Sequence, residues 1–318
     1  MKLRVGGGDV RSRESEFTTY DIATLCKGAR LVKGDLAIAA LASEAAVIRD
    51  NQLFSRNIFQ RLADFRRHVF GAVGLKRAAQ RVELCSDLLE GGVTPSVGLM
   101  EVVRSRISIG LHSIIRPRAG DFCYTDEEFE IMRRDVEIAK SAGADGVVLG
   151  ILDASGKVDI RRTQQLVELA RPLSITFHRA FDMSVDLLRS LEDVCATGAD
   201  RLLTSGGEQA CLQGVETIAQ LVKSGRDRIT IMAGGGIGPD NAASIIERTG
   251  ATEIHVGLGS PVTSPMLYRN PRVSLGKADG REYDRTQVLE ENVRKLSRAI
   301  ARRISKQKQS RADCGAPS

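Results

Sequence analysis

Short apolar runs punctuate the chain between residues 82 and 256, at 82–85, 111–115, 147–151, 175–178, 202–204, 229–232 and 254–256. Each has the length of a buried strand. Between them, the stretches 126–142, 185–197, 211–224 and 239–249 read as helices. All four end in a glycine (Gly143, Gly198, Gly225 and Gly250), and each glycine stands three residues ahead of the residue that opens the next strand segment (Gly146, Arg201, Arg228 and Glu253). A glycine just past a helix takes the left-handed conformation that closes the last turn, which a Cβ disfavours. At the first of these helices Thr125 is followed three residues later by Glu128, the spacing of a capping box. Strand and helix in steady alternation predict a parallel sheet built through right-handed crossovers. With this many units and no second domain in view, the fold class expected is α/β, a (β/α)8 TIM barrel. An open doubly wound sheet is the alternative.

The first βα unit is divergent or missing. Ala78 stands where the glycine signal would precede Arg81, and residues 1–76 contain no strand, helix and glycine in order. Leu36-Ala-Ile-Ala-Ala-Leu41 is the best candidate for a first strand. Past the last strand, 285–306 reads as an amphipathic helix with Val288, Leu289, Val293, Leu296, Ile300 and Ile304 on one side. That side would cover the barrel wall or a partner subunit. The expected organisation is a divergent segment over 1–76, a barrel over 77–306 and a basic, disordered tail over 307–318.

Composition narrows the classes. Of 318 residues 42% are hydrophobic and 27% charged, which fits a globular chain and excludes a disordered one. Aromatics make up 4% and Trp is absent, so no stacking platform for single-stranded nucleic acid is expected. The formal net charge is +6, and residues 284–318 carry nine basic against four acidic side chains. The body is thus nearly neutral, which argues against a nucleic-acid partner. Cys26, Cys85, Cys123, Cys195, Cys211 and Cys314 are scattered with no C-x-x-C pair, which suits free thiols in a reducing cytoplasm. The N-terminus shows no apolar core of signal-peptide length, and the apolar run 36–47 is too short to span a bilayer and contains Glu44. A cytoplasmic protein with no membrane partner is expected.

Barrel strands alternate side chains between interior and helix layer, and barrel sites gather at strand C-terminal ends. Placing Val82 and Leu84 outward turns Glu83 and Cys85 inward. The same parity turns Thr176 and His178, and Glu253 and His255, inward. Ile115-Arg116-Pro117-Arg118 brings two guanidinium groups to the same rim. Glu83, Arg116, His178 and His255 are therefore candidate catalytic residues, able to hold an anionic ligand and move protons. Gly234-Gly235-Gly236, followed by Gly238-Pro239-Asp240, offers backbone N–H groups at the start of a helix. With Arg118 and with Ser205, in Thr204-Ser205-Gly206-Gly207, these glycines form a candidate anion-binding group. The structural alternative stays open: Glu83 and Arg116 pair, the histidines bond backbone carbonyls, and the glycines only make a tight turn. No pair of metal ligands shows suitable spacing within one element.

Several longer blocks carry a resemblance. They are Arg81-Val-Glu-Leu-Cys-Ser86, Gly91-Gly-Val-Thr-Pro-Ser96, Ile115-Arg-Pro-Arg-Ala-Gly-Asp-Phe122, Thr176-Phe-His-Arg-Ala-Phe-Asp182, Leu203-Thr-Ser-Gly206, Ile231-Met-Ala-Gly-Gly-Gly-Ile237 and Glu253-Ile-His255. In these the chain resembles the CutC copper homeostasis family. The resemblance implies a cytoplasmic TIM-barrel protein linked to copper tolerance, a homo-oligomer, with Cu(I) held in part by Cys85. The family's second thiol lies on the first strand, in a Val-Cys-Val-Asp-like run, and no such run precedes Arg81, where Cys26 is the only cysteine. Ala233 stands where the family has Pro. Cu(I) favours two or more soft thiolates, so Cys85 alone is a poor trap. Two functions follow for testing. One is a copper homeostasis protein whose partner is the copper ion. The other is a barrel enzyme acting on a small anionic or phosphorylated substrate at the strand C-terminal ends.

Overall fold

A computed structural model of the chain describes residues 79–274 and 282–313. The expected divergent segment 1–76, with the 36–41 run, lies outside the described residues. Seven strands form one parallel sheet in sequential order: β1 (Arg81–Leu84), β2 (Gly110–Ile114), β3 (Gly146–Leu149), β4 (Ser174–Phe177), β5 (Arg201–Thr204), β6 (Thr230–Gly234) and β7 (Glu253–His255). The helices between them are α1 (Val97–Arg104), α2 (Asp126–Ser141), α3 (Ile160–Ala170), α4 (Leu187–Thr197), α5 (Val215–Ser224) and α6 (Ala242–Thr249). The sheet curls until its edge strands face each other. Arg81 of β1 hydrogen-bonds Glu253 of β7, and Glu83 Oε2 lies 3.7 Å from His255 Nδ1. This is the expected α/β barrel; among the described residues no strand fills the place between β7 and β1.

The alternation of side chains follows the parity of the sequence. Val82 and Leu84 pack outward with Val103, Ile107 and Leu111 against α1. Val147, Leu149, Ile175 and Phe177 join Met132, Val136, Leu166 and Leu191 in the main core between sheet and helices. Side chains of this size contribute about 1.5–3 kcal/mol each when fully buried.

Local chemistry sets the element ends. The Thr125–Glu128 capping box is formed in both directions. Gly143, Gly198 and Gly250 take φ of +80°, +80° and +69°, as expected of helix terminators. Gly225 differs: its φ is −85°, the chain winds on for another turn, and Asp227 takes the positive φ of 65°. Asp145 and Asp200, each two residues after a terminating glycine, accept hydrogen bonds from Leu111 N and Ile175 N at 2.8 and 2.7 Å. They thereby tie each turn to the neighbouring strand's start.

After β7 the chain forms an antiparallel pair, β8 (Gly259–Thr263) with β9 (Asp284–Val288). The long helix α7 (Glu290–Asp313) follows. The expected helix at 285–306 thus begins later, because 284–288 is extended and paired, and it runs on into the stretch expected to be a tail. Val293 and Leu296 are buried on the barrel wall with Ile300 beside them, whereas Val288, in the strand, is exposed.

Candidate functional site

Two groups of polar side chains occupy the barrel interior at opposite ends of the strands. At the N-terminal ends Glu253 receives hydrogen bonds from Arg81 and, at 3.0 Å, from Arg201. His112 is buried in the same region, and burial together with the charges of Arg81 and Arg201 lowers its pKa to about 4. Two guanidinium groups share the one carboxylate there. At the C-terminal ends the balance differs.

Arg116 leaves β2 and turns back under the loop after β1. Its Nη1 donates to the carbonyls of Glu90 and Gly92 at 2.8 and 2.9 Å, and Nη2 donates to that of Gly120 at 2.8 Å. The loop approaches closely because Gly91 and Gly92, at φ +87° and +89°, carry no side chain; a Cβ at Gly91 would lie 3.2 Å from Arg116 Nη1. The guanidinium is 5% exposed, sits 5.0 Å from the Phe122 ring centroid, and has no carboxylate in ion-pair range among the described residues. Its Nε has no well-formed hydrogen bond among the described residues, and the side chain lies beside the Tyr124 hydroxyl. Arg118, two residues on, is placed elsewhere. It pairs with Glu128 at 2.5 Å and Asp121 at 3.0 Å, so its donors serve the start of α2 rather than the mouth.

His178 closes β4 and is also 5% exposed. Its Nδ1 accepts the Ala180 N–H at 3.1 Å, and the ring lies 5.1 Å from Phe122, centroid to centroid. Burial, reinforced by the Arg116 charge, lowers its pKa to about 3, so the ring is neutral at physiological pH. With Nδ1 accepting, the single proton of the neutral ring belongs on Nε2. Among the described residues that Nε2 has no partner, nor has Thr176 Oγ1, the previous inward position of β4. A buried donor left unsatisfied costs about 1–3 kcal/mol. Several in one wall are a cost that a bound acceptor would remove.

Arg179 was not singled out by the sequence. It opens the 3-10 turn Arg179–Met183, donates from Nε to Asp182 Oδ2 at 2.7 Å and from Nη2 to Ser205 Oγ at 2.7 Å. Asp182, itself buried, also accepts from Thr204 Oγ1, Ser205 N and Gly207 N at 2.5, 3.0 and 3.0 Å. One carboxylate thus fixes both the turn after β4 and the loop after β5. Gly235 faces this group: a Cβ there would stand 3.2 Å from Ser205 Cβ and 3.5 Å from Arg179 Nη1. Ser205 and Gly235 are therefore brought together, with Arg179 rather than Arg118 as their cation.

Each glycine of the 234–236 run has a local cause. A Cβ at Gly234 would meet Leu203 Cδ1 at 2.5 Å, and Gly235 and Gly236 adopt φ of +108° and +66°. Beyond them Asn241 accepts from Gly238 N and donates to Gly236 O, at 2.8 and 2.9 Å, folding the loop before α6. A cavity of about 420 Å³ opens between this loop, residues 257–259 and Asn292.

On β1, Glu83 and His255 face each other across the sheet edges, and Cys85 lies against Gly92, whose Cβ would be 3.4 Å from its Sγ. Burial, with the Glu83 charge adding, raises the Cys85 thiol to about 11. Among the described residues no three His, Cys, Asp or Glu side chains gather as a metal site. Cys85, Cys123, Cys195 and Cys211 are free thiols. A lone protonated thiol does not fit Cu(I), which takes two or three thiolates.

Sequential parallel strands, helices outside and polar side chains at the strand C-terminal ends define an α/β-barrel protein. A family model described as the CutC family matches residues 71–260, the span of all seven parallel strands. A family protein CutC of Chromobacterium violaceum is 46% identical over 222 residues, covering 70% of this chain and 90% of the relative. The copper homeostasis protein cutC homolog of Mus musculus is 46% identical over 209 residues, 65% of this chain and 77% of the relative. The solved structure of a CutC protein from Streptococcus agalactiae superposes with a TM-score of 0.53 at 34% identity, covering 55% of this chain and 87% of that one. The chain belongs to the CutC family.

Proposed function

We propose that the protein serves copper homeostasis in the cytoplasm, as a homo-oligomer, with its working site at the strand C-terminal ends. Membership of the CutC family across the whole barrel carries this reading, since the mouse relative of 46% identity bears the name of a copper homeostasis protein. Glu83, Arg116, His178 and His255 are the residues assigned to the site, with Ser205 and Gly234–Gly236 on its far side. Free thiols at Cys85, Cys123, Cys195 and Cys211 suit a reducing compartment. No described helix is long and apolar enough to cross a membrane.

The copper connection does not rest on a copper centre among these side chains, because Cys85 lacks companion ligands there. The role proposed is one in copper tolerance, and the test is genetic. Cells lacking the chain should lose tolerance of added copper, and the intact chain should restore it. Unaltered tolerance in the deletion strain would refute the reading. Sedimentation of the purified protein tests the oligomer separately.

A further inference from the structure

We propose that Arg116 and His178 form a two-donor site for the carboxylate of a small organic acid, covered by the ring of Phe122. The inference rests on the reading of the strand ends as the working site, and deepens it by naming the ligand class.

Three features converge. Arg116 is a buried cation with no carboxylate partner among the described residues, and three of its five N–H groups go to the carbonyls of residues 90, 92 and 120. Nε–H and one N–H of Nη2 are left beside the Tyr124 hydroxyl, and Nε has no well-formed hydrogen bond among the described residues. His178 uses Nδ1 to accept from Ala180, so its remaining ring nitrogen is a donor, also without an acceptor. Phe122 touches both, 5.0 Å from the Arg116 guanidinium carbon and 5.1 Å from the His178 ring. Thr176 Oγ1 adds a third unpartnered group on the same face of β4.

The donor set selects the ligand. A metal ion needs lone pairs, and His178 has committed its only free one to Ala180. A phosphate is best held by a whole guanidinium fork, and here the loop carbonyls take three of the five N–H groups. Two single N–H groups on neighbouring side chains suit one planar carboxylate. Phe122 packs against both side chains, and the proposed site requires that it move aside for the ligand.

The test uses [15N]histidine-labelled protein, with glycolate and inorganic phosphate as probes. The chain has 4 histidines, and the His178 signals are assigned by their absence in His178→Gln. In the free protein His178 should show the Nε2–H tautomer. Millimolar glycolate should shift that resonance and raise the unfolding temperature, whereas phosphate should do neither. Because the chain has no Trp, Phe122→Trp supplies a single fluorophore whose emission should change with glycolate. Arg116→Gln should weaken glycolate binding about tenfold or more, equivalent to ~1.4 kcal/mol. Should that variant fail to fold, the histidine resonance of the unaltered protein still decides. An Nδ1–H tautomer, an unmoved His178 resonance, or a response to phosphate in place of glycolate would each overturn the proposal. Copper tolerance is a separate readout. A His178→Gln chain that no longer binds glycolate yet restores tolerance leaves the proposed function standing, whereas unaltered tolerance in the deletion strain, with glycolate still moving the His178 resonance of the purified protein, removes that function alone.

Discussion

The ring of His178 occupies the place that a side chain at Gly150 would take. A Cβ there would lie 2.6 Å from His178 Nδ1, 2.7 Å from Cε1 and 3.1 Å from Ala180 Cβ. The ring cannot retreat without giving up its bond to the Ala180 amide. Gly150→Ala should therefore destabilise the protein by about 1–3 kcal/mol, the usual range for overpacking a buried site. It should also alter the His178 tautomer signal. Urea unfolding measures the first effect and nitrogen NMR the second. Unchanged values for both would mean that β3 and β4 separate more freely than their pairing implies.

Acid should destabilise the fold well before its carboxylates titrate. His178 and His112 are held neutral in the native barrel, with pKa values lowered to about 3 and about 4, against 6.5 when unfolded. Arg116 faces His178; Arg81, Arg201, Asp145 and Glu253 surround His112. Between those limits the unfolded chain binds more protons than the native one, so stability rises with pH and falls as pH drops below 6.5. The slope approaches about 1.4 kcal/mol per pH unit for each histidine. Burial opposes ionisation of Glu253, but Arg81 and Arg201 outweigh it and lower its pKa, so its own loss enters only below its ordinary range near 4.5. Unfolding midpoints from pH 7 to 4.5 should fall steadily, and His112→Gln should make the fall shallower. An equally steep profile in that variant would exclude His112 as a source.

What could be read from the chain was what local rules govern. Alternation placed the seven parallel strands, and strand parity turned Glu83, His178 and His255 inward. α3 was missed because it ends at Arg171-Pro172 rather than at a glycine. Gly225 kept the sequence signal but not the conformation, since Asp227 made the reversal instead. The β8–β9 pairing escaped because it joins segments separated by a long connection with no hairpin signature. At the mouth, β2 ends at Ile114, ahead of both Arg116 and Arg118, so parity could not tell which arginine turned in. Arg179 was invisible for a related reason: the chain leaves strand geometry at His178, and only the later course of the 3-10 turn sets its direction.

Asp182 should be the costliest single polar side chain of the mouth to remove. It accepts from Thr204, Ser205, Gly207 and Arg179, and only about 5% of it is exposed. Asp182→Ala strands these donors and should cost about 3–5 kcal/mol. Asp182→Asn keeps one acceptor oxygen and should cost less. Arg179→Ala removes a half-exposed cation and should fall near 1 kcal/mol, because solvent already screens that pair. Denaturant midpoints give the order directly. A milder effect for Asp182→Ala than for Arg179→Ala would mean the loops after β4 and β5 hold without their shared carboxylate.

Cys85 should contribute little to Cu(I) binding. Burial, with the Glu83 charge, raises its pKa to about 11. At pH 7 the thiolate fraction is then about one in ten thousand, so capture of a metal must first displace a tightly held proton. No further pair of ligands gathers beside it among the described residues, while Cu(I) binds strongly only where thiolates are multiple. Competition for Cu(I) against bicinchoninate should give affinities for Cys85→Ser and the unaltered chain within about threefold of each other, well under the tenfold that marks ~1.4 kcal/mol. Iodoacetamide should label Cys123 faster than Cys85, since Cys123 is exposed while burial keeps the Cys85 thiol protonated. Loss of one stoichiometric Cu(I) in Cys85→Ser would contradict this and require a companion thiol from outside the described barrel, on the same chain or on a second copy. Mixing Cys85→Ser with intact protein would tell these apart. A ligand shared between copies makes copper content depend on the mixing ratio, and one within a chain does not.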